Sequence, residues 1–304
     1  MIQQLLTNAL IAASVYALIA LSFSLIYATT RFFHFAHGAV YVVGAYSAYV
    51  VIEAFRRSAE AASAAVPLWV PVVAVLVAVV VATILGGLME LAIYRPLRRR
   101  QATPLVLLIA SLGLYIVIQN VISAFFGDDT KTIRTWPVRE GLSVLGARIT
   151  PVQLIIIGCA VVLFAATILI LKYTRAGVAM RALAANPELA RVVGMDADRV
   201  VLYTFLVGSA LCGAAGVLIS LDIDMTPTMG LSALLMGVVA AIAGGIGSLP
   251  GAALGALLLA LAQHLGVWKI PSQWQDAIAF AVLLVFLVFR PAGVFGARLR
   301  KVRV

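Results

Sequence analysis

The glycine-rich stretch Gly244-Gly245-Ile246-Gly247-Ser248-Leu249-Pro250-Gly251 has residue types able to cradle a phosphate, because closely spaced glycines free backbone N–H groups for an anion. A phosphate loop also needs Lys-Ser or Lys-Thr directly after a glycine, and none of the lysines, at 131, 172, 269 and 301, follows one. The strand and βαβ unit that frame a dinucleotide loop are also missing from the pattern, so nucleotide binding by this chain is rejected. The spacing fits a different use. Gly247, Gly251 and Gly255 recur every fourth residue, a small-residue stripe that lets two helix backbones approach closely. Pro250 interrupts that stripe, and at membrane depth such a break places backbone groups against a cavity. Tight helix packing and a broken helix beside a translocation path are both compatible with this spacing.

His34 and His37 stand three residues apart in FFHFAHG. Two histidines without a third ligand fall short of a metal site, and local hydrogen bonding at the end of a span accounts for them better. No serine, histidine and acid are spaced for nucleophilic catalysis, and no carboxylates are paired for acid–base work. The chain reads as a conduit rather than an enzyme, with no cofactor of its own and no metal. Cys159 and Cys212 lie in separate apolar runs and read as packing residues.

These groups need a scaffold, and composition names it. Of 304 residues, 63% are hydrophobic and 11% charged, whereas soluble domains carry about a quarter charged residues. A span needs about 20 apolar residues. Runs at 5–28, 39–55, 67–93, 104–126, 151–171, 200–220 and 277–289 qualify or come close, and two shorter runs, 231–246 and 252–266, meet at GSLPG. The expected fold is an all-α integral membrane protein, a polytopic bundle of 8 to 9 spans with one broken, forming a single permease domain over 1–304. The first run is too long for a cleavable signal. The loop 127–150, with Asp128, Asp129 and Trp136, reads as a small ordered cap. Glu90, Gln119, Asn120, Gln263 and His264 fall within or near spans and are expected to face the protein interior.

The formal charge of +10 raises the question of nucleic acid, but the cations are segregated. Arg31, the loop 94–100 with Glu90 just before it, the stretch 172–199 and the tail together hold 15 of the 22 basic residues and 4 of the 12 acids, a net +11. The remaining loops sum to −1. By the positive-inside rule the basic face is cytoplasmic, with the N-terminus outside and the C-terminus inside, and no nucleic acid is needed to explain the charge. On that face 173–199, YTRAGVAMRALAANPELARVVGMDADR, has the makings of a short helix broken at Asn186-Pro187-Glu188. Arg181 and Arg191 are expected to face water, and Val178, Ala182, Leu183 and Leu189 to form one small apolar face.

Five segments, in order, resemble the permease subunits of branched-chain amino-acid ABC importers, the LivH type. FAHGAVYVVGAY (35–46) is similar to that family's NFAHGE stretch, IYRPLRRR (93–100) to its AYRPLR stretch, and GGIGSLPGAALG (244–255) to its GGIGSIPGA stretch. The stretch 174–200 is similar to its cytoplasmic loop, and FRPAGVFG (289–296) to its closing motif. The resemblance covers almost the whole chain. It implies that 175–195 is a coupling helix docking on a separate ATPase, a role carried onto Arg181, Ala184, Asn186, Glu188 and Gly194. It implies two ATP-binding subunits that use the ATP, a second related permease in a heterodimer, and a soluble periplasmic or extracellular binding protein. The setting it implies is the bacterial cytoplasmic membrane, in contact with lipid.

Residues that the resemblance and the glycine pattern place along the pathway are His37, Gly38, Ala39, Gly245, Gly247, Gly251 and Gln263. Three departures bear on cargo. Ala39 stands where the family commonly has Glu, Gln263 where it often has an acid, and His34 where it has Asn. If those acids meet a substrate ammonium, the cargo here is expected to differ from an ordinary branched-chain amino acid, with urea, amides and aromatic acids open beside other amino acids. The alternative class, a stand-alone secondary transporter or channel, needs membrane-buried carboxylates, for which only Glu90 and Asp276 come near an apolar run.

Overall fold

The computed structural model describes residues 2–61, 67, 69–134, 141–144, 146–290 and 292–295. Helix α1 (Ile2–Thr30) leads into a non-helical connector, followed by α2 (His37–Ala61) and α3 (Val70–Met89). A π-helical turn at Glu90–Tyr94 joins α3 to α4 (Arg95–Arg99), and α5 (Pro104–Phe126) follows. A hairpin of β1 (Leu142–Val144) and β2 (Ala147–Ile149), pairing Leu142 with Ile149, precedes α6 (Pro151–Tyr173). Then come the short helices α7 (Arg175–Ala185) and α8 (Pro187–Val192), and the long α9 (Ala197–Ser220). The chain ends in α10 (Met229–Gly244), α11 (Leu249–Gly266) and α12 (Gln275–Phe289).

Helix starts follow local chemistry. Thr103 before Pro104, and Thr150 before Pro151 with Gln153 completing a capping box, supply the acceptors that the first turns lack. Eight helical segments are long and apolar enough to span a membrane. Helix α10, with 16 residues and about 24 Å of length, is shorter but runs between the same two ends of the bundle. At one end lie Arg31, the α4 region, α7, α8, the α10–α11 turn and residues 292–295. Val294 and Phe295 donate to the carbonyls of Ala243 and Gly244, and Arg31 donates to Ala184. At the other end Gln4 pairs with Arg148, the Lys131 and Met225 backbones bridge, and Gln153 donates to Asp222. Nine helices thus run end to end among the described residues, and the cationic segments share one end. Of the cap expected over 127–150, the described residues show this hairpin and the isolated bridge of Lys131 to Met225; Trp136 lies outside the described residues.

Helices α1 and α9 are mostly buried, whereas α5, α6 and α12 turn apolar faces outward, as helices against lipid do. Small residues let the inner helices touch. A Cβ added at Gly216 of α9 would lie 2.1 Å from the Tyr41 carbonyl oxygen of α2. Gly216→Val is therefore expected to destabilise the bundle by about 1–3 kcal/mol or more. Gly113→Ala on α5, where nothing lies within 4 Å, is expected to be neutral. Thermal unfolding of the two variants in detergent checks this, and equal midpoints would count against the packing.

The glycine stripe differs from its sequence reading. Pro250 does not break a helix; it occupies the first turn of α11, which Ser248 caps by accepting from the Gly251 N–H. Gly247 lies outside that helix with φ of +86°, a left-handed conformation suited to glycine. The packing stripe is Gly244, Gly251 and Gly255, where the α10 and α11 backbones touch. Asn120 also departs from expectation: it is exposed, and its amide donates to the Ile116 carbonyl. Cys159 is exposed on α6, while Cys212 is buried and lies 3.2 Å from the His37 carbonyl.

Candidate functional site

The connector 31–36 is non-helical, and past the exposed Arg31 it runs inside the bundle, with Phe32, His34 and Ala36 shielded from solvent. Its depth follows from Ser22, whose Oγ is 2.7 Å from His37 Nε2. Ser22 lies eight residues before the end of α1, so the chain re-enters the bundle by about 12 Å before α2 begins. Irregular backbone survives at such depth only where protein satisfies its polar groups. Ser111 of α5 does so, accepting from the Phe35 N–H at 3.1 Å, while its single hydroxyl proton is shared between the Leu108 carbonyl at 2.8 Å and the Phe33 carbonyl at 3.2 Å. Tyr94, on the π-helical turn, places its hydroxyl 3.1 Å from His34 Nδ1. His34 Nε2 and His37 Nδ1 have no protein partner among the described residues, and no metal-binding cluster occurs there.

The π turn also organises charge. Arg98 makes a bidentate pair with Glu90, whose side chain is fully buried. Asp198, in the first turn of α9, accepts from Arg95 at 3.0 Å and Arg99 at 3.1 Å and lies 3.5 Å from Arg98. The helix runs through Pro96 as far as Arg99, beyond the end at Ile93 that the apolar run suggested. A π-helical turn relieves the conflict between a proline and the carbonyl four residues before it.

Helices α7 and α8 meet at Asn186, which caps α8 by accepting from the Glu188 and Leu189 N–H groups at 3.0 and 3.1 Å. Arg181 and Arg191 are exposed, in line with the sequence. The expected apolar face divides in two. Gly177, Met180 and Leu183 pack inward with Ala190, whereas Val178, Leu189, Val192 and Val193 point outward, Val192 being 81% exposed. Gly194, at φ +84°, turns the chain toward α9.

A cavity of about 270 Å³ lies between α1, the α10–α11 turn and α7, and Arg181, Ala184 and Gly247 line it. The remaining pathway candidates are elsewhere. His37, Gly38 and Ala39 are buried at the α2 start, where Gly38 packs on Gly230. Gly245 ends α10 beside Gly293, and Gly251 packs on Gly244. Gln263 is buried, donating to Met236 Sδ and the Gln275 carbonyl, both at 3.2 Å, so its amide is occupied by its own chain. Sequence reasoning missed Arg31, Tyr94, Ser111 and Asp198, which gain their roles only from contacts 60 to 153 residues away.

A bundle of apolar helices running end to end, with its polar groups turned inward and its cations at one end, defines a multi-pass helical membrane protein. The chain belongs to the family described as branched-chain amino acid transport system / permease component, whose description matches residues 5–287. It is 33% identical over 298 residues to the high-affinity branched-chain amino acid transport system permease protein BraD of Pseudomonas aeruginosa, covering 96% of this chain and 95% of BraD. It is 32% identical over 301 residues to the LivH permease of Escherichia coli, with the same coverage, and 31% identical over 301 residues to that of Salmonella typhimurium. No solved structure matches the chain. These relatives are named as permease proteins of branched-chain amino acid transport systems, so the class this chain shares is that of a transport permease component.

Proposed function

We propose that this chain is one permease subunit of a binding-protein-dependent ABC importer and forms half of the translocation pathway. In this reading 1–304 is one permease domain, and the coupling segment 173–199 within it docks on an ATPase. ATP is used by two partner ATPases, and the second half of the pathway comes from a related permease. A soluble periplasmic or extracellular protein delivers the solute. The observation that carries the reading is the outward apolar group Val178, Leu189, Val192 and Val193 on the α7–α8 pair at the basic end. An apolar patch rimmed by Arg181, Glu188 and Arg191 fits a protein partner in the aqueous phase. The same charge asymmetry supports a bacterial cytoplasmic membrane setting with that end inside, the N-terminus outside and the C-terminus inside.

The cargo proposed is an aliphatic amino acid, the class the relatives' names state. The departures at Ala39 and Gln263 carry less weight against it than their spacing suggests. Ala39 is buried, and Gln263 bonds to its own chain rather than lining the cavity. Purification of the tagged chain from its own membrane in mild detergent tests the assembly. An ATPase with a phosphate loop and a second permease are expected with it; recovery of the chain alone would favour the stand-alone transporter. Uptake of radiolabelled leucine into vesicles holding the complex tests the cargo, and transport of urea or an amide in its place would overturn that part.

Arg181 and Glu188 are exposed and belong to the rim of such a dock, so each charge reversal is expected to slow uptake only a fewfold. Arg181→Glu and Glu188→Lys measured at several salt concentrations check this. An effect that does not diminish with salt would count against a rim role.

A further inference from the structure

We propose that Arg31 is a positioning residue that passes movement of α7 to the buried connector 32–36. The inference rests on the reading of 173–199 as the coupling segment. Arg31 is the last residue before the chain dives into the bundle, and its φ of +58° is left-handed, a costly conformation for a residue that is not glycine. Its guanidinium donates to the Ala184 carbonyl at 2.8 Å. That carbonyl is among the last four of α7, which have no partner within the helix and which favour a cation. One residue therefore caps the end of α7 and sets the entry angle of the connector.

Packing determines which end of α7 moves. At its start, Gly177 sits so close to α6 that an added Cβ would meet the Ile170 carbonyl oxygen at 2.3 Å and Leu171 Cα at 2.4 Å. At its other half, Arg181 and Ala184 stand over the cavity of about 270 Å³ that separates them from α1 and the α10–α11 turn. A push on α7 thus meets backbone contact near Gly177, whereas near Ala184 it meets the side chains of Met180 and Leu183 beside open volume, and there Arg31 holds on. The connector is anchored at its far end by His37 on Ser22 and by Gly38 against Gly230. Displacement of Arg31 is therefore taken up between residues 32 and 36.

A second polar route reaches the same place. Asp198, near the C-terminal end of the coupling segment, engages Arg98, which holds Glu90, and the π turn that begins at Glu90 carries Tyr94 onto His34. Two routes that start at separate points of the coupling segment, Ala184 at the end of α7 and Asp198 at the start of α9, and converge on one buried, irregular stretch make that stretch the receiver of the stroke.

The test is hydrogen–deuterium exchange on the whole complex, with its co-purified ATPases, free of nucleotide and trapped with ATP and vanadate. In the unmodified complex, exchange at the amides of 32–38 is expected to change about fivefold on trapping, the low end of coupling between sites. In Arg31→Ala that difference is expected to collapse while α7 still responds, and Arg31→Lys, which keeps a donor, is expected to recover part of it. A purely structural role would alter exchange at 32–38 equally with and without nucleotide, and that result overturns the proposal. So does a full nucleotide response at 32–38 in Arg31→Ala. If Arg31→Ala does not accumulate, Arg31→Gln, whose amide is too short to reach Ala184, takes its place. Absence of any response at α7 in the unmodified complex overturns the coupling reading itself, and the inference with it.

Discussion

Aspartate at both Leu189 and Val192 is expected to leave the chain folded and inserted but to strip it of its ATPase partners. Both residues are largely exposed, 61% and 81%, so their replacement removes little internal contact. In the proposed assembly they are the apolar anchors of the dock. Complete burial of a Leu or Val side chain contributes roughly 1.5–3 kcal/mol, and a desolvated carboxylate in the same pocket adds a penalty. Two such changes together amount to a loss of about a hundredfold or more in affinity, well beyond the rim charges. Quantitative mass spectrometry of the purified complex, at matched membrane levels of this chain, gives the ATPase ratio. Val192→Leu keeps the anchor and is expected to keep the partner. A patch resting instead among lipid headgroups would leave ATPase recovery unchanged in the aspartate variant, and that result would move the dock off α8.

The division of the α7–α8 apolar face shows where sequence reading stops. Spacing along an 11-residue helix locates apolar residues but not which of two partners each one faces. Leu183 meets the bundle, Val178 and Leu189 do not, and only the placement of α7 under α1 and α6 distinguishes them. Spans were legible for the opposite reason. Their signal is length and a proline beside a cap, so the starts at Pro104 and Pro151 follow from residues next to one another. The sequence places RFFHFAHG between two spans, but the burial of that connector was hidden, because its irregular backbone is rescued by Ser111, far along the chain. The π turn was hidden too. Nothing in Glu90-Leu91-Ala92-Ile93-Tyr94 forbids an α-helix, and the reason to widen it is Pro96 two residues later.

Arg98→Ala is expected to cause the largest loss of stability of any single charge removal in this chain. It leaves the Glu90 carboxylate fully buried without its guanidinium, and breaking a buried pair in this way costs about 3–5 kcal/mol. Glu90→Gln is expected to cost much less, because Arg98 stays 20% exposed and keeps Asp198 at 3.5 Å. The double variant is then expected to be more stable than Arg98→Ala alone, since it removes the stranded charge. Thermal midpoints of the four proteins in detergent complete the cycle. Additive midpoints would mean the pair is not the unit that matters.

The geometry explains why the pairing exists. Residues eight apart on a regular α-helix are about 80° out of line, and the wider π turn supplies the missing rotation, so that Arg98 can reach back along the helix to Glu90. The basic stop after the third span thus does more than bias orientation, because one of its arginines neutralises the one fully buried acid among the described residues. A stand-alone transporter coupled to protons or sodium needs a carboxylate free to exchange its cation. Glu90, the acid best placed for that role, is held on both oxygens by Arg98. If the cycle shows the pair to be strongly coupled, Glu90 is removed as a coupling acid, and the stand-alone reading is left with Asp276 alone, in the first turn of α12.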